Sequence, residues 1–142
     1  AVLFIDLDNF KDINDTLGHE AGDDVLNTMG QRMSALVREV DTVARIGGDE
    51  FIILLDGADN QAEITQIAQR MVDTLQRPVT YRGQQLNCGA SIGIGCFPQD
   101  GEDITSLIAA ADQAMYVAKQ SGRNQLRFAS ALADGSKVRS DP

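Results

Sequence analysis

The 142-residue chain has no basic excess: 12 lysines and arginines face 21 acids, a net charge of −9. That balance argues against a protein that slides on nucleic acid, which needs a basic face. A nucleotide substrate stays open, since metal ions and a few placed cations handle phosphates locally. No apolar run approaches the ~20 residues that span a bilayer, and no signal-peptide pattern is present. The two cysteines, Cys88 and Cys96, lack metal-type spacing and lie in or beside an apolar strand. They read as reduced packing residues of a cytosolic protein. There is one histidine, His19, and no internal repeat or low-complexity segment. Length predicts one domain with a proper core. The opening on a core-strand pattern at Ala1–Leu7 reads as a domain excised from a longer protein.

The chain is organised around Arg45-Ile46-Gly47-Gly48-Asp49-Glu50-Phe51. It lies between two apolar runs, Thr42–Ile46 and Phe51–Leu55. Two glycines there predict a hairpin turn, because glycine reaches positive φ without steric cost. Acids on a turn are ordinarily just solvated. A second acidic group, Asp6-Leu7-Asp8, closes the strand-like run Val2–Leu7. Asp6 and Asp8 share one face of an extended chain, and two acidic clusters at strand ends can converge on a divalent cation. The glycines would let a phosphate approach the backbone.

Periodicity predicts the remaining elements. Val2–Leu7 is a central strand buried on both faces. Phe10–Leu17 is a short helix ending at Gly18, and Asp23 caps or begins a longer one through Glu39. Its stripe runs Val25, Leu26, Met29, Met33, Leu36, Val37 and Val40. Gln61–Gln76 is an amphipathic helix stopped by Pro78. Val79–Arg82 and Gln85–Cys96 flank Gly83 as a second hairpin, with Gly89, Gly93 and Gly95 implying close backbone packing. Ile104–Gln120 is a helix ended by Gly122, and Gln125–Phe128 is a last strand. The expected domain covers 1–130, with 131–142 a polar tail or linker. The order predicts an α/β (α+β) sandwich with helices packed on the sheet.

Gly47-Gly48-Asp49-Glu50-Phe51 resembles the signature of the GGDEF family, diguanylate cyclase domains that make cyclic di-GMP from GTP. The likeness extends in order through Phe4-Ile5-Asp6-Leu7-Asp8-Asn9-Phe10-Lys11, Asn14-Asp15, Gly18-His19, Gly22-Asp23, Ala90-Ser91-Ile92-Gly93 and Ala118-Lys119 with Gly122-Arg123-Asn124. It covers roughly residues 1–128. It implies a ferredoxin-like βαββαβ core with an extra hairpin, similar to nucleotidyl cyclases and polymerase palms. It implies condensation of two GTP into cyclic di-GMP and two pyrophosphates, each 3′-hydroxyl attacking the other GTP's α-phosphate across a homodimer. The family's helix and short segment before the first strand lie outside this chain.

Joining nucleotides in this way needs an activated hydroxyl and charge on the leaving group, which two Mg²⁺ (or Mn²⁺) ions per half-site supply. The resemblance assigns Asp6, the Leu7 carbonyl, Asp49 and Glu50 to the metal. Either Asp49 or Glu50 also assists deprotonation. Asp8 stands outside the metal set, with capping of the following helix as its alternative. Lys11 and the backbone amides of Asn9 and Phe10, with Gly47 and Gly48, would meet the phosphates. Lys119 and Arg123 would meet the triphosphate, or else oppose a helix dipole. Asn14 and Asp23 match the two guanine-reading positions, against readings as a turn asparagine and a helix cap. His19 would lie near the nucleotide without acting as a base.

Arg38 and Asp41, nine and six positions ahead of Gly47, match the family's Arg-x-x-Asp inhibitory site for the product. Fused sensor or phosphodiesterase domains are expected in the full-length protein. So is a cytoplasmic location for this segment, even where the whole protein is membrane-anchored, with no polymer partner and no membrane contact. The rival reading is a non-catalytic GTP or cyclic di-GMP sensor, which commonly lacks an acid of the signature. A cyclase or polymerase for another nucleotide is disfavoured by Asn14 and Asp23.

Overall fold

A computed structural model describes residues 1–58 and 60–133. Its elements run β1 (Val2–Asp8), α1 (Phe10–Leu17), α2 (His19–Leu36), β2 (Thr42–Arg45), β3 (Glu50–Leu54), α3 (Gln61–Leu75), β4 (Val79–Tyr81), β5 (Gln84–Leu86), β6 (Gly89–Gly95), α4 (Ile104–Gln120), β7 (Leu126–Phe128) and α5 (Ala129–Ala133). Five strands form one sheet in the order β2-β3-β1-β6-β7, and β4 with β5 forms a separate ribbon. All pairings of the main sheet are antiparallel except β6 with β7. β1, β2, β3 and β6 therefore make the βαββαβ core, and α4 carries the chain across to a fifth strand.

β1 is central and apolar on both sides, as its near-continuous apolar run requires. Leu3, Ile5 and Leu7 pack with Val25, Met29 and Met33 of α2 and with Ile64, Ala68 and Met71 of α3. On the opposite face, Val2, Phe4 and Ile52 meet Leu107, Ala111 and Met115 of α4. Helix α4 sits directly on β6 because β6 offers glycine there. A Cβ at Gly93 would stand 1.9 Å from the Ala111 carbonyl oxygen and 2.2 Å from the Met115 nitrogen. Side chains cap two helices: Asn60 accepts from the Glu63 N–H and Asp103 from the Ser106 N–H, each at 2.7 Å.

Several boundaries differ from the sequence reading. Helix α2 begins at His19, four residues before Asp23, with Gly18 (φ +94°) as its N-cap, so Asp23 is no cap. It ends at Leu36, before Val37, Val40 and Glu39. The cause is Asp41, whose carboxylate accepts the Arg38 backbone N–H at 2.8 Å and draws the chain into a turn. Val40 is consequently 62% exposed. The expected strand Gln85–Cys96 divides at Asn87–Cys88. Its first part pairs with β4 through the Arg82–Gly83 turn, both residues at positive φ. Its second part pairs with β1, starting at Asp8↔Gly89. The expected tail at 131–142 starts inside α5, and the residues from 134 onward lie outside the described ones.

Candidate active site

The two acidic motifs meet at one end of the sheet. Asp6 on β1 is the register partner of Glu50 on β3, and directly paired residues point to the same face. The Leu7 N–H donates to the Asp49 carbonyl at 3.0 Å, which ties the turn to β1. The turn is also closed within itself. The Ile46 N–H donates to the Glu50 carbonyl at 2.9 Å, and Arg45 Nε donates to the Gly48 carbonyl at 3.2 Å. A Cβ on Gly47 would come within 3.0 Å of Glu50 Oε1, while Gly48 has open space around it.

Asp6 and Asp8 share this face but occupy different surroundings. Asp8 is 3% exposed. Its carboxylate accepts from Ser91 Oγ at 2.9 Å and from the Asn124 backbone N–H at 3.0 Å. It therefore anchors the loop after α4 and caps nothing. α1 starts instead from Asn9 in a left-handed conformation (φ 60°) with no side-chain cap, which leaves first-turn N–H groups available to an anion. Asp6 Oδ1 is buried without a hydrogen-bond partner. The Lys119 ammonium lies 3.1 Å from it and 3.5 Å from Asp8 Oδ1. Burial, with the nearby charges of Asp49 and Glu50, pushes the Asp6 carboxyl up to about 6, against the opposing pull of Lys119.

Hard oxygen donors with one orphaned buried oxygen suit a hard divalent cation. The residues therefore fit the metal that the family implies. No three acidic, histidine or cysteine side chains among the described residues stand close enough to form a finished metal cluster. Asp6, Asp49 and Glu50 are thus neighbours around a position rather than a closed set.

The other expected residues are distributed around this end. Lys11 is exposed on the first turn of α1. Asn14 Oδ1 is buried without a hydrogen-bond partner and occupies the space that a side chain at position 22 would take, 1.9 Å from a Cβ placed on Gly22. Asp23, exposed on α2, lines a cleft of about 850 Å³ between that helix and the β2–β3 hairpin, with Gly30, Arg45 and Phe51. Asn14 does not line that cleft. His19 is exposed at the start of α2. Lys119 and Arg123 do not share a helix face: α4 stops between them, with Gly122, Arg123 and Asn124 all at positive φ. Arg123 lines a small polar cavity with Asp8, Asn9 and Cys88.

The cysteines are free. Burial pushes the Cys88 thiol up to about 11, and it donates to the Asp8 carbonyl at 2.9 Å. Away from this end, Arg38 and Asp41 are brought together. Arg38 donates from its guanidinium to Asp41 and to the Asp56 carbonyl, while the Asp56 N–H donates to Asp41 at 2.9 Å. Burial acts to raise the Asp41 carboxyl, but these donors hold it below the usual range.

Sequence reasoning missed the organising role of Asp8 and its partners Ser91 and Asn124. A signal was present: Ser91 is the one hydroxyl in the strand Gly89–Gly95, and a lone polar residue in a buried strand requires a partner.

The family model described as "Diguanylate cyclase, GGDEF domain" matches residues 1–125. This chain belongs to the GGDEF-domain family. It is 42% identical over 130 residues to the diguanylate cyclase TpbB of Pseudomonas aeruginosa, covering 91% of this chain and 30% of that protein. It is 40% identical over 129 residues to the cyclic di-GMP phosphodiesterase NbdA of the same organism, covering 90% of this chain and 16% of NbdA. The chain thus spans less than a third of either relative. The crystal structure of the GGDEF domain of YfiN (TpbB) from P. aeruginosa superimposes with a TM-score of 0.86 at 41% identity, over 89% of this chain and 80% of that one. The mixed sheet with its flanking helices is the palm-like cyclase fold of this GGDEF domain. Among the described residues no helix is long and apolar enough to cross a membrane.

Proposed function

We propose that this domain is a diguanylate cyclase, condensing two GTP into cyclic di-GMP and two pyrophosphates. The observation that carries the reading is the Asp6–Glu50 pairing, with the Leu7–Asp49 backbone bond beside it. It joins the two acidic motifs at one end of the sheet and leaves a buried carboxylate oxygen unbonded. Asp6, Asp49, Glu50 and the Leu7 carbonyl would hold Mg²⁺ or Mn²⁺. When bound, the metal supplies a lowered pKa for the attacking 3′-hydroxyl and charge for the departing pyrophosphate.

The chain's own residues do the rest. The uncapped start of α1 presents N–H groups and Lys11 to the terminal phosphates, and Gly48 leaves the backbone open for their approach. Asn14 and Asp23 read the guanine edge: a carboxylate accepts from N1–H and N2–H, which adenine does not offer together. Asp49 or Glu50, at the tip of the hairpin, takes the proton. Each domain binds one GTP, and a homodimer aligns each hydroxyl with the other domain's α-phosphate. The catalytic fold occupies 1–130. Arg38 and Asp41 bind the product and slow turnover. A fused sensor or phosphodiesterase domain sets how often two such domains meet.

The relative named as a cyclic di-GMP phosphodiesterase favours one second reading, a GTP or cyclic di-GMP sensor that regulates a partner domain. Incubation with GTP and Mg²⁺ at high protein concentration separates the two, after any carried-over cyclic di-GMP has been removed with a phosphodiesterase. Cyclic di-GMP from the parent and none from Asp49→Ala is the expected result. Measured GTP binding with no product at any concentration would point to the sensor.

A further inference from the structure

Lys119 stands where an incoming cation would go. It lies on the last turn of α4, with its ammonium between two carboxylates that share one face of β1, 3.1 Å from Asp6 and 3.5 Å from Asp8. We propose that Lys119 is a built-in counter-cation: in the nucleotide-free domain its ammonium takes the place of a divalent ion beside Asp6, and the ion enters by displacing it. This rests on the assignment of Asp6 to the metal made above.

The two arms of the bridge are unequal, and that inequality sets the direction of the exchange. Asp8 has two other donors, Ser91 Oγ and the Asn124 N–H, so it stays in place and hydrogen-bonded whatever Lys119 does. Asp6 Oδ1 has the Lys119 ammonium, at 3.1 Å, as its one close partner, so it is the arm left open to a cation when that ammonium moves. Moving the helix that carries Lys119 as a body would separate Leu107, Ala111 and Met115 from Val2, Phe4 and Ile52, at a cost in core packing. Exchange therefore falls to the lysine's flexible four-carbon stem. The side chain is 21% exposed, which leaves the ammonium a route toward solvent. An incoming polyphosphate offers the freed ammonium another anion. Metal and nucleotide binding then favour each other, by the same factor in both directions.

The test is Mn²⁺ binding without nucleotide, read from the free-Mn²⁺ paramagnetic resonance signal at pH 8, where Asp6 is ionised. Lys119→Met is compared with the parent, and Asp6→Asn identifies binding at this position. Removing a monocation a few ångströms from the ion predicts a gain in affinity on the order of tenfold. In parallel, the parent protein carrying ¹³C-labelled lysine is titrated with Mg²⁺. The Lys119 Cε resonance is expected to move as the ion binds, and this measurement decides the matter if Lys119→Met does not fold. Equal or weaker Mn²⁺ binding by folded Lys119→Met, an unmoved Lys119 signal at saturating Mg²⁺, or no binding by either protein overturns the proposal. Neither measurement reads turnover. Displacement of Lys119 in a chain that forms no cyclic di-GMP would sustain the counter-cation and defeat the cyclase reading. Unchanged Mn²⁺ affinity alongside cyclic di-GMP synthesis would do the reverse.

Discussion

Gly93→Ala tests how the fold positions the site. A Cβ at residue 93 would lie 1.9 Å from the Ala111 carbonyl oxygen and 2.2 Å from the Met115 nitrogen. Comfortable contact of a carbon with such atoms is about 3.5 Å, so α4 must retreat on the order of 1 Å or more. Both obstacles are helix backbone, and no rotamer change relieves them. Overpacking of a core typically costs ~1–3 kcal/mol. Here the retreat also separates Leu107, Ala111 and Met115 from Val2, Phe4 and Ile52, so roughly 3 kcal/mol is expected. With an unfolding entropy of about 2.1 cal/mol/K per residue, that is a fall in Tm of about 10 °C. Circular dichroism melts of parent and variant read it directly. The same retreat draws Lys119 away from Asp6, so the variant's Mg²⁺ response should change along with its stability. A Tm within about 2 °C of the parent would refute the reasoning, as would a crystal structure of the variant with α4 in its original place.

Gly48→Ala is the counterpart: nothing lies within 4 Å of the added Cβ and φ is ordinary. Its Tm should stay within about 2 °C of the parent, for a change under ~0.5 kcal/mol, while GTP affinity falls at least about tenfold in calorimetry if phosphate approaches that backbone. Gly22→Ala would force the Asn14 side chain out of its place, and the preference for GTP over ATP in competition binding should drop by roughly tenfold or more. Asp41→Ala should cost about 1–2 kcal/mol in urea unfolding, because it strands the Arg38 and Asp56 backbone donors. Exposed Arg38→Ala should cost little stability, and both variants should escape inhibition by added cyclic di-GMP. Asp6 has its carboxyl raised from 3.8 to about 6, so the folded state favours its proton. That stabilisation is complete below pH ~3.8 and lost as pH rises through about 6. The stability of Asp6→Asn relative to the parent should therefore climb between pH 4 and 7 and level off above, and a difference independent of pH would count against a raised carboxyl.

The central strand and the hairpin at Gly47-Gly48 were legible in the sequence because they follow from strong local signals. Val2–Leu7 is apolar at every position but Asp6, the pattern of a central strand. Gly47-Gly48 between two apolar runs marks a turn, which the chain makes with neither glycine at the positive φ that the sequence reading invoked. The limits of α2 were not legible, because both are set by partners remote from helix propensity. The start depends on Gly18 adopting φ +94°. The end depends on a carboxylate five residues beyond it reaching back to the Arg38 N–H. The stripe through Leu36, Val37 and Val40 continued the helical period across a boundary that apolar spacing cannot register. The split of Gln85–Cys96 was hidden for a related reason. Two successive strands joined only by Asn87 and Cys88 look like one, and their separation is dictated by which neighbours they pair with.

At the site the sequence showed which acids could converge but not how each is used. Asp6 and Asp8 are two residues apart on one strand face, and nothing in Asp-Leu-Asp distinguishes them. Their neighbours across the sheet do. Asp8 lies beside Gly89 and near Ser91, where the absence of a side chain at 89 leaves room for the loop after α4 to reach in and donate from Asn124. Asp6 lies opposite Glu50, another acid, and receives no donor but the Lys119 charge. A carboxylate with its lone pairs filled is a fixed part of the frame. One that is buried, unbonded and crowded by a like charge is held at a higher energy, which a cation can relieve. The same residue type thus becomes scaffold at one position and ligand candidate at the other. What decides between them is a glycine and an acid on the two flanking strands, Gly89 on β6 and Glu50 on β3, far apart in the chain and adjacent to β1 only once the sheet has formed.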